Sequence, residues 1–292
     1  MRVLFMGTPE FARVALEKLV ESGFEIVGVV TQPDKPVGRK LTLTAPPVKA
    51  YALTQGIEVY QPQSLRGEGF AELLGGIAPD IIVVAAYGKI LPANVLDYPE
   101  HGCVNIHASL LPKYRGAAPI NAAIMGGEKT TGITIIYMDE GIDTGDMILK
   151  RGLEIGADET AGELHDRLAA LGGELIVEAL GQIKSGTAKR EKQPEEGASY
   201  VGLINNEMCE IDWNLPAKQV HDKIRGLSPA PAAYTWLGGK KLKIYKSRLA
   251  GDGLVELLEV QIEGGKRMNA GDFANGRKGR DGREGSVFRF AR

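Results

Sequence analysis

Short apolar runs alternate with amphipathic stretches along the first two thirds of the chain. Arg2 to Met6 is an apolar run that reads as a buried first strand. Gly7-Thr8-Pro9-Glu10 then turns the chain into a helix expected over residues 11–22 and ended by Gly23. Residues 25–31 supply a second strand, and this β-α-β opening predicts a parallel, doubly wound sheet. Ile81 to Ala86 is a continuous apolar run, as expected of a central parallel strand. Tyr87-Gly88-Lys89-Ile90-Leu91-Pro92 follows at its carboxyl end, where open α/β sheets bind ligands. Residues 103–107 alternate with a period of two, so Val104 and Ile106 share one face and Cys103, Asn105 and His107 the other. Pro112 and Gly116 break the chain before a helix expected over 117–126. Residues 131–138 and 147–155 read as further strands. Leu164, Leu168, Leu171, Leu175, Ala179 and Ile183 form the apolar stripe of a long helix, with His165 beside it in a packing or surface role.

The pattern changes after Lys184. Residues 185–199 are polar and read as the start of a linker. A helix is expected over 216–226, with His221 on its surface. Strands follow at 233–237, 241–247 and 254–262, with Gly238-Gly239 as a hairpin turn. The expected fold class is α/β: a Rossmann-like, doubly wound, mostly parallel sheet, then a small β-barrel domain. The boundaries are residues 1–184 for the first domain, 185–204 for the linker and 205–292 for the second domain.

Composition narrows the classes. At 292 residues the chain is long enough for two domains. No apolar run is long enough to span a bilayer, and Met1 opens into a strand with no leader pattern, so a cytoplasmic location is expected, with no membrane partner. Two cysteines suggest neither a disulfide framework nor a thiolate metal site. Charge is uneven: residues 206–292 carry 16 Lys and Arg against 11 Asp and Glu, whereas the preceding residues are net acidic. A basic second domain suits a polyanionic partner.

Chemistry concentrates in four places. Asn105 and His107, an amide and an imidazole presented together at a strand end, can polarise a carbonyl. Asp139 to Asp146 puts four acids in a Gly-rich turn, which is either a solvated turn or a cation site and lacks the EF-hand order. Residues 32–49 form a long loop with four prolines and the cations Lys35, Arg39, Lys40 and Lys49. It reads equally as a solvated excursion or an arm that meets phosphates. Lys240, Lys241, Lys243, Lys246 and Arg248 cluster on one expected strand and the turn before it, as an ordinary charged face or as a nucleic-acid backbone site. The Gly7 turn lacks the further glycines of a dinucleotide fingerprint, which excludes a nicotinamide cofactor.

Asn105-Ile106-His107-Ala108-Ser109-Leu110-Leu111-Pro112, Arg115-Gly116-Ala117-Ala118-Pro119-Ile120 and Asp143-Thr144-Gly145-Asp146 together resemble the formyltransferases that use 10-formyltetrahydrofolate. A wider set resembles the members that act on methionyl-tRNA: Phe5 to Ala12, Thr31 to Pro36 with Gly38-Arg39-Lys40, Ala86-Tyr87-Gly88, Ile211-Asp212-Trp213 and Gly265 to Met268. The resemblance implies a catalytic triad of Asn105, His107 and Asp143. It implies a folate site formed by Ala86, Tyr87, Gly88, Ile90, Leu91, Ser109, Leu110, Leu111, Pro112, Gly141 and Ile142. It implies contact with initiator methionyl-tRNA by Lys35, Arg39 and Lys40 on the loop and by Lys241 and Lys243 on an OB-like barrel. The implied reaction moves the formyl group of 10-formyltetrahydrofolate to the α-amino group of that tRNA for translation initiation, without a metal; a monomer is expected. Two departures stand out. The connection at Ala250-Gly251-Asp252-Gly253 is about two dozen residues shorter than the family's, more than two typical strands, so the second domain reads as shortened there. The tail from Gly276 to Arg283 also strays from the pattern. A sugar-amine or purine-ribotide formyltransferase would share the triad without needing the basic loop or second domain. A non-catalytic RNA-binding protein would not need the triad, and the single Asp-Thr-Gly does not make an aspartic protease, which needs two.

Overall fold

A computed structural model describes residues 1–38, 41–251, 253–276 and 289–290. The chain forms two compact units, each assembled from separate stretches. The first comprises Met1–Arg115, Gly132–Gly152 and Asp166–Tyr200, and the second Gly116–Thr131, Leu153–His165 and Val201–Arg292.

The first unit is built on a seven-stranded sheet of β1 (Arg2–Gly7), β2 (Glu25–Val30), β3 (Val59–Tyr60), β4 (Ile81–Ala85), β5 (Cys103–His107), β6 (Thr130–Tyr137) and β7 (Met147–Glu154). The spatial order is β7-β6-β5-β4-β1-β2-β3. Pairings β1–β2, β1–β4, β2–β3 and β4–β5 are parallel, and β5–β6 is antiparallel. The sheet is mostly parallel, as the β-α-β opening predicts. β1 from Val3 onward and β4 are apolar because both faces are covered, and every residue of Ile81–Ala85 is buried. The helix Glu10–Glu21 buries Phe11, Ala12, Ala15, Leu16 and Leu19, one stripe at helical spacing.

Residues 32–49 are not wholly irregular. Lys35–Val37 pairs with Thr42–Thr44 as a short antiparallel hairpin. Three-residue strands are too short to show a period in the sequence. The stripe from Leu164 to Ile183 falls on the helix Ala161–Lys184, as expected.

In the second unit the helix Ala217–Gly226 packs against Pro119–Met125, and Asn121 Nδ2 donates to the Gly226 carbonyl at 2.7 Å. An antiparallel sheet follows, with β8 (Ala233–Leu237), β9 (Lys240–Leu249) and β10 (Val255–Ile262) side by side and Met268–Asn269 beyond β10. Gly238 and Gly239 both adopt positive φ, 57° and 75°, which the two-residue hairpin turn requires. The short connection closes β9 on β10 directly, with Leu249 opposite Val255. Asp252 within it, and residues 277–288 of the atypical tail, lie outside the described residues.

One expectation is overturned. His221 is not on the surface: it is 2% exposed. Its Nδ1 lies 2.9 Å from Ser247 Oγ, and its Nε2 lies 3.2 Å from both the Ala157 carbonyl and Asp158 Oδ1. The helix buries polar residues because each finds a partner: Asp222 accepts from Lys218 and Arg225, and Arg225 donates to the Gly156 and Glu159 carbonyls. Burial holds the His221 imidazole below its ordinary pKa.

Candidate active site

Strand order reverses beside β1, between β2 and β4, and the carboxyl ends of β1 and β4 lie together there. This is where doubly wound sheets open a ligand crevice. Thr8 Oγ1 and Gln32 Nε2, from the segments after β1 and β2, both donate to the Tyr87 carbonyl at 3.1 Å. The parallel register pairs Val84 with Asn105, so the carboxyl end of β4 runs beside the strand that carries Asn105 and His107. Ala86 has φ 43°, a left-handed conformation that alanine rarely adopts. The turn therefore exposes Ala86 and Gly88 and sends the Tyr87 side chain inward. Burial pushes the Tyr87 phenol up to about 12, so it stays neutral. Ile90 stands 79% exposed just beyond, whereas Leu91 is in the core.

Asn105 and His107 leave β5 on one face and converge on Asp143. Asn105 Nδ2 donates to Asp143 Oδ1 at 3.2 Å, and His107 Nδ1 lies 3.4 Å from Asp143 Oδ2. On its other side, His107 Nε2 donates to the Tyr114 carbonyl at 2.9 Å. The imidazole is 5% and the carboxylate 16% exposed, so the two groups meet in a partly dry setting where polar interactions act more strongly than in water. Asp143 and Tyr114 have φ 53° and 60°. With Ala86, three left-handed non-glycine residues belong to this one neighbourhood, a pattern typical of functional sites.

The 109–115 segment is fixed by its own bonds. Ser109 Oγ donates to the Lys113 carbonyl, and Thr134 Oγ1 donates to the Ser109 carbonyl while accepting from the Leu111 amide. Lys150 Nζ donates to the Leu111 carbonyl at 3.2 Å. Ser109 and Leu111 are buried, Leu110 and Pro112 half-buried, and the Leu111–Pro112 peptide is cis.

The 139–146 turn is equally constrained. Asp139 Oδ1 accepts from the Gly141 amide and Thr144 Oγ1. A side chain at Gly145 would collide with the Tyr137 carbonyl, and one at Gly141 with Thr144 Oγ1. Gly141 and Ile142 are exposed ahead of Asp143, with Ile142 at 58%. Composition left this turn open between a solvated acidic loop and a cation site. Its Asp143 instead engages Asn105 and His107, and among the described residues no three His, Cys, Asp or Glu side chains gather to hold a metal.

Sequence reading missed the supports from residues 190–200. Gln193 Nε2 donates to the carbonyls of Asp143 and Gly145 at 2.8 Å each. Ser199 Oγ accepts from the Tyr114 amide, and its carbonyl accepts from the Arg115 amide. The only hint in the sequence is a Gln and a Ser in a segment otherwise rich in charge.

The cations expected to meet nucleic acid fall in both units. Lys35 is exposed on the hairpin of residues 35–44, while Arg39 and Lys40 lie outside the described residues. In the second unit Lys241 Nζ sits 3.8 Å from the Tyr234 ring centre, and Lys243 Nζ donates to the Pro231 carbonyl. Lys240 and Lys246 are exposed on the same strand.

The family described as formyl transferase matches residues 1–180, and that described as formyl transferase, C-terminal domain, matches residues 203–252. A methionyl-tRNA formyltransferase from Caldanaerobacter subterraneus subsp. tengcongensis is 46% identical over 94% of this chain and 97% of its own length. One from Geobacter metallireducens is 46% identical over 94% of this chain and 96% of its own. Among solved structures, the methionyl-tRNA formyltransferase of Clostridium thermocellum shares the fold with a TM-score of 0.61 at 20% identity, covering 90% of this chain and 98% of that one. The N-formyltransferase of Helicobacter canadensis, in complex with folinic acid and dTDP-3-aminofucose, shares it with a TM-score of 0.66 at 21% identity, covering 91% of this chain and 98% of that one. The chain belongs to the formyl transferase family, among the methionyl-tRNA formyltransferases.

Proposed function

We propose that the protein transfers the formyl group of 10-formyltetrahydrofolate to the α-amino group of initiator methionyl-tRNA. The observation that carries this reading is the convergence of Asn105 and His107 on Asp143, in a chain matched by methionyl-tRNA formyltransferases over nearly its full length.

The residues present fit a folate. Exposed Ile90 and Ile142 offer apolar surface for a flat ring, and the backbone of Ala86, Gly88 and Gly141 offers donors and acceptors for its polar edge. The Tyr87 hydroxyl is buried with no hydrogen-bond partner among the described residues, and its ring backs this wall. Bound there, 10-formyltetrahydrofolate supplies an activated formyl carbon.

The chain's own groups do the rest. An amide nitrogen carries two N–H groups, and Asn105 spends one on Asp143. The second donates to the formyl oxygen as negative charge gathers on it. His107 is the other donor: its Nε2 is held on the Tyr114 carbonyl, and its Nδ1, a long 3.4 Å from Asp143 Oδ2, turns its N–H to the formyl oxygen. Each such donor is worth about 10²–10³-fold in rate. As the amine nitrogen bonds to the formyl carbon, Asp143 helps take the proton the amine loses; the bond from that carbon to the carrier nitrogen breaks, and the proton passes to this nitrogen as tetrahydrofolate leaves. The basic arm around Lys35, Arg39 and Lys40 meets the acceptor end of the tRNA, and the basic strand with Lys241 and Lys243 holds its backbone. A cytoplasmic monomer fits this role. No helix among the described residues is long and apolar enough to cross a membrane.

The test is transfer of a labelled formyl group from 10-formyltetrahydrofolate to charged initiator tRNA, with charged elongator methionine tRNA alongside. Rapid transfer to the initiator alone is expected. Equal transfer to both tRNAs contradicts the selectivity, and no transfer to either contradicts the acceptor.

A further inference from the structure

We propose that Gln193 is a positioning residue for catalysis: with Arg115 behind it, it sets the left-handed turn that aims Asp143 at His107 and Asn105. The proposal rests on the formyl-transfer reading and adds a component from the polar segment that follows the long helix.

The chain of contacts is continuous. The Arg115 side chain is 1% exposed, an unusual place for a guanidinium. Its Nε donates to Gln193 Oε1 at 3.0 Å, its Nη1 to Tyr200 Oη at 2.9 Å, and its Nη2 lies 3.7 Å from Glu195 Oε1. Arg115 thus takes up the acceptor end of the Gln193 amide and fixes which end is which. The donor end then points at two carbonyls, those of Asp143 and Gly145, at 2.8 Å each. These carbonyls flank the backbone that holds Asp143 at φ 53°, which costs a non-glycine residue energy and reverts unless something holds it.

The same segment is anchored on both sides of Gln193. Glu191 and Met147 exchange two backbone hydrogen bonds, at 2.7 and 3.0 Å. Ser199 accepts from the Tyr114 amide through Oγ and from the Arg115 amide through its carbonyl, beside the carbonyl that holds His107 Nε2. Residues 191–200 therefore tie the Asp143 turn to the segment that orients His107. Gln193 holds Asp143 by its carbonyl, so its effect passes through the backbone position of Asp143.

Glutamate is the discriminating substitution. Gln193→Glu keeps the size of the side chain and an oxygen for Arg115, but its carboxylate has no N–H for the two carbonyls. Steady-state transfer should show kcat lowered about tenfold to a hundredfold, the scale of a small misplacement of a catalytic group, with KM for donor and tRNA within twofold. The decisive readout is a cycle with Asp143→Asn. If Gln193 acts through Asp143, adding Gln193→Glu to Asp143→Asn changes kcat less than twofold, because the group it positions is already disabled. Multiplicative losses in the double variant, or unchanged kcat in Gln193→Glu, overturn the proposal. Gln193→Ala is the second variant and should show the same split. If neither variant folds by thermal melting, the segment is a folding element and the proposal is overturned. The unsubstituted protein is the control that separates the two readings. No formyl transfer by it sinks the proposed function itself, whereas transfer by it with unaffected Gln193 variants sinks only this inference.

Discussion

Two excursions from the same sheet are held in opposite ways. The 139–146 turn is bonded along its length: Asp139 closes it, Asp143 engages Asn105 and His107, Gln193 holds two of its carbonyls, and the Asp146 carbonyl accepts from the Tyr137 amide. Among the described residues, the 32–49 arm is tied mainly at its root. There Lys49 Nζ donates to Asp34 and Gln61, and Gln61 Nε2 to Asp34 and the Gln32 carbonyl. Beyond that root the hairpin exposes Lys35, Leu41 and Leu43. Chemistry on a formyl carbon needs donors placed to a fraction of an ångström before the substrate arrives. Engaging a large polyanion needs charge and reach, which a short hairpin on a fixed root supplies.

This contrast can be broken in order of effect. Asp143→Ala removes the shared acceptor of Asn105 and His107 and should lower kcat by about 10³-fold with tRNA affinity unchanged, measured by transfer kinetics and filter binding. Gly145→Ala places a methyl against the Tyr137 carbonyl, so the turn must move. A loss of about 10²-fold in kcat is expected, along with a lower melting temperature. Arg39→Ala belongs to the other side of the contrast. It should raise KM for tRNA several-fold, leave the folate parameters alone and reduce the salt slope of tRNA binding by about one charge. Unchanged tRNA parameters would return the arm to a solvated loop. A smaller effect concerns stability alone. The folded-state pKa of His221 is depressed below its ordinary 6.5, so below that pH the unfolded chain takes up a proton that the folded chain resists. Stability present at neutral pH is therefore lost as the pH falls through 6.5 toward the folded value. His221→Gln should flatten that slope in chemical denaturation series without altering kcat.

Much of the chemistry was legible because it rides on a period. Alternation over residues 103–107 puts Asn105 and His107 on one face without any knowledge of their partners. The parallel sheet follows from the β-α-β opening and from the apolar run at Ile81, since a strand covered on both faces carries no alternation. The supports were not legible. Gln193 reaches Asp143 across 50 positions and Ser199 reaches Tyr114 across 85, through side chain-to-backbone bonds that leave no periodic trace. Ala86 and Tyr114 adopt left-handed backbone despite residue types that disfavour it. His221 looked like surface because its helix is rich in charge, and only the fold brings Asp158, Ala157 and Ser247 around it.

The role proposed for His107 lies in the chemical step and not in binding. Single-turnover formyl transfer by His107→Ala, at saturating 10-formyltetrahydrofolate and initiator methionyl-tRNA, tests this most directly. A rate lowered by about 10²-fold or more, with both substrates still bound, is the predicted result. A single-turnover rate within a few-fold of the unsubstituted protein would contradict it.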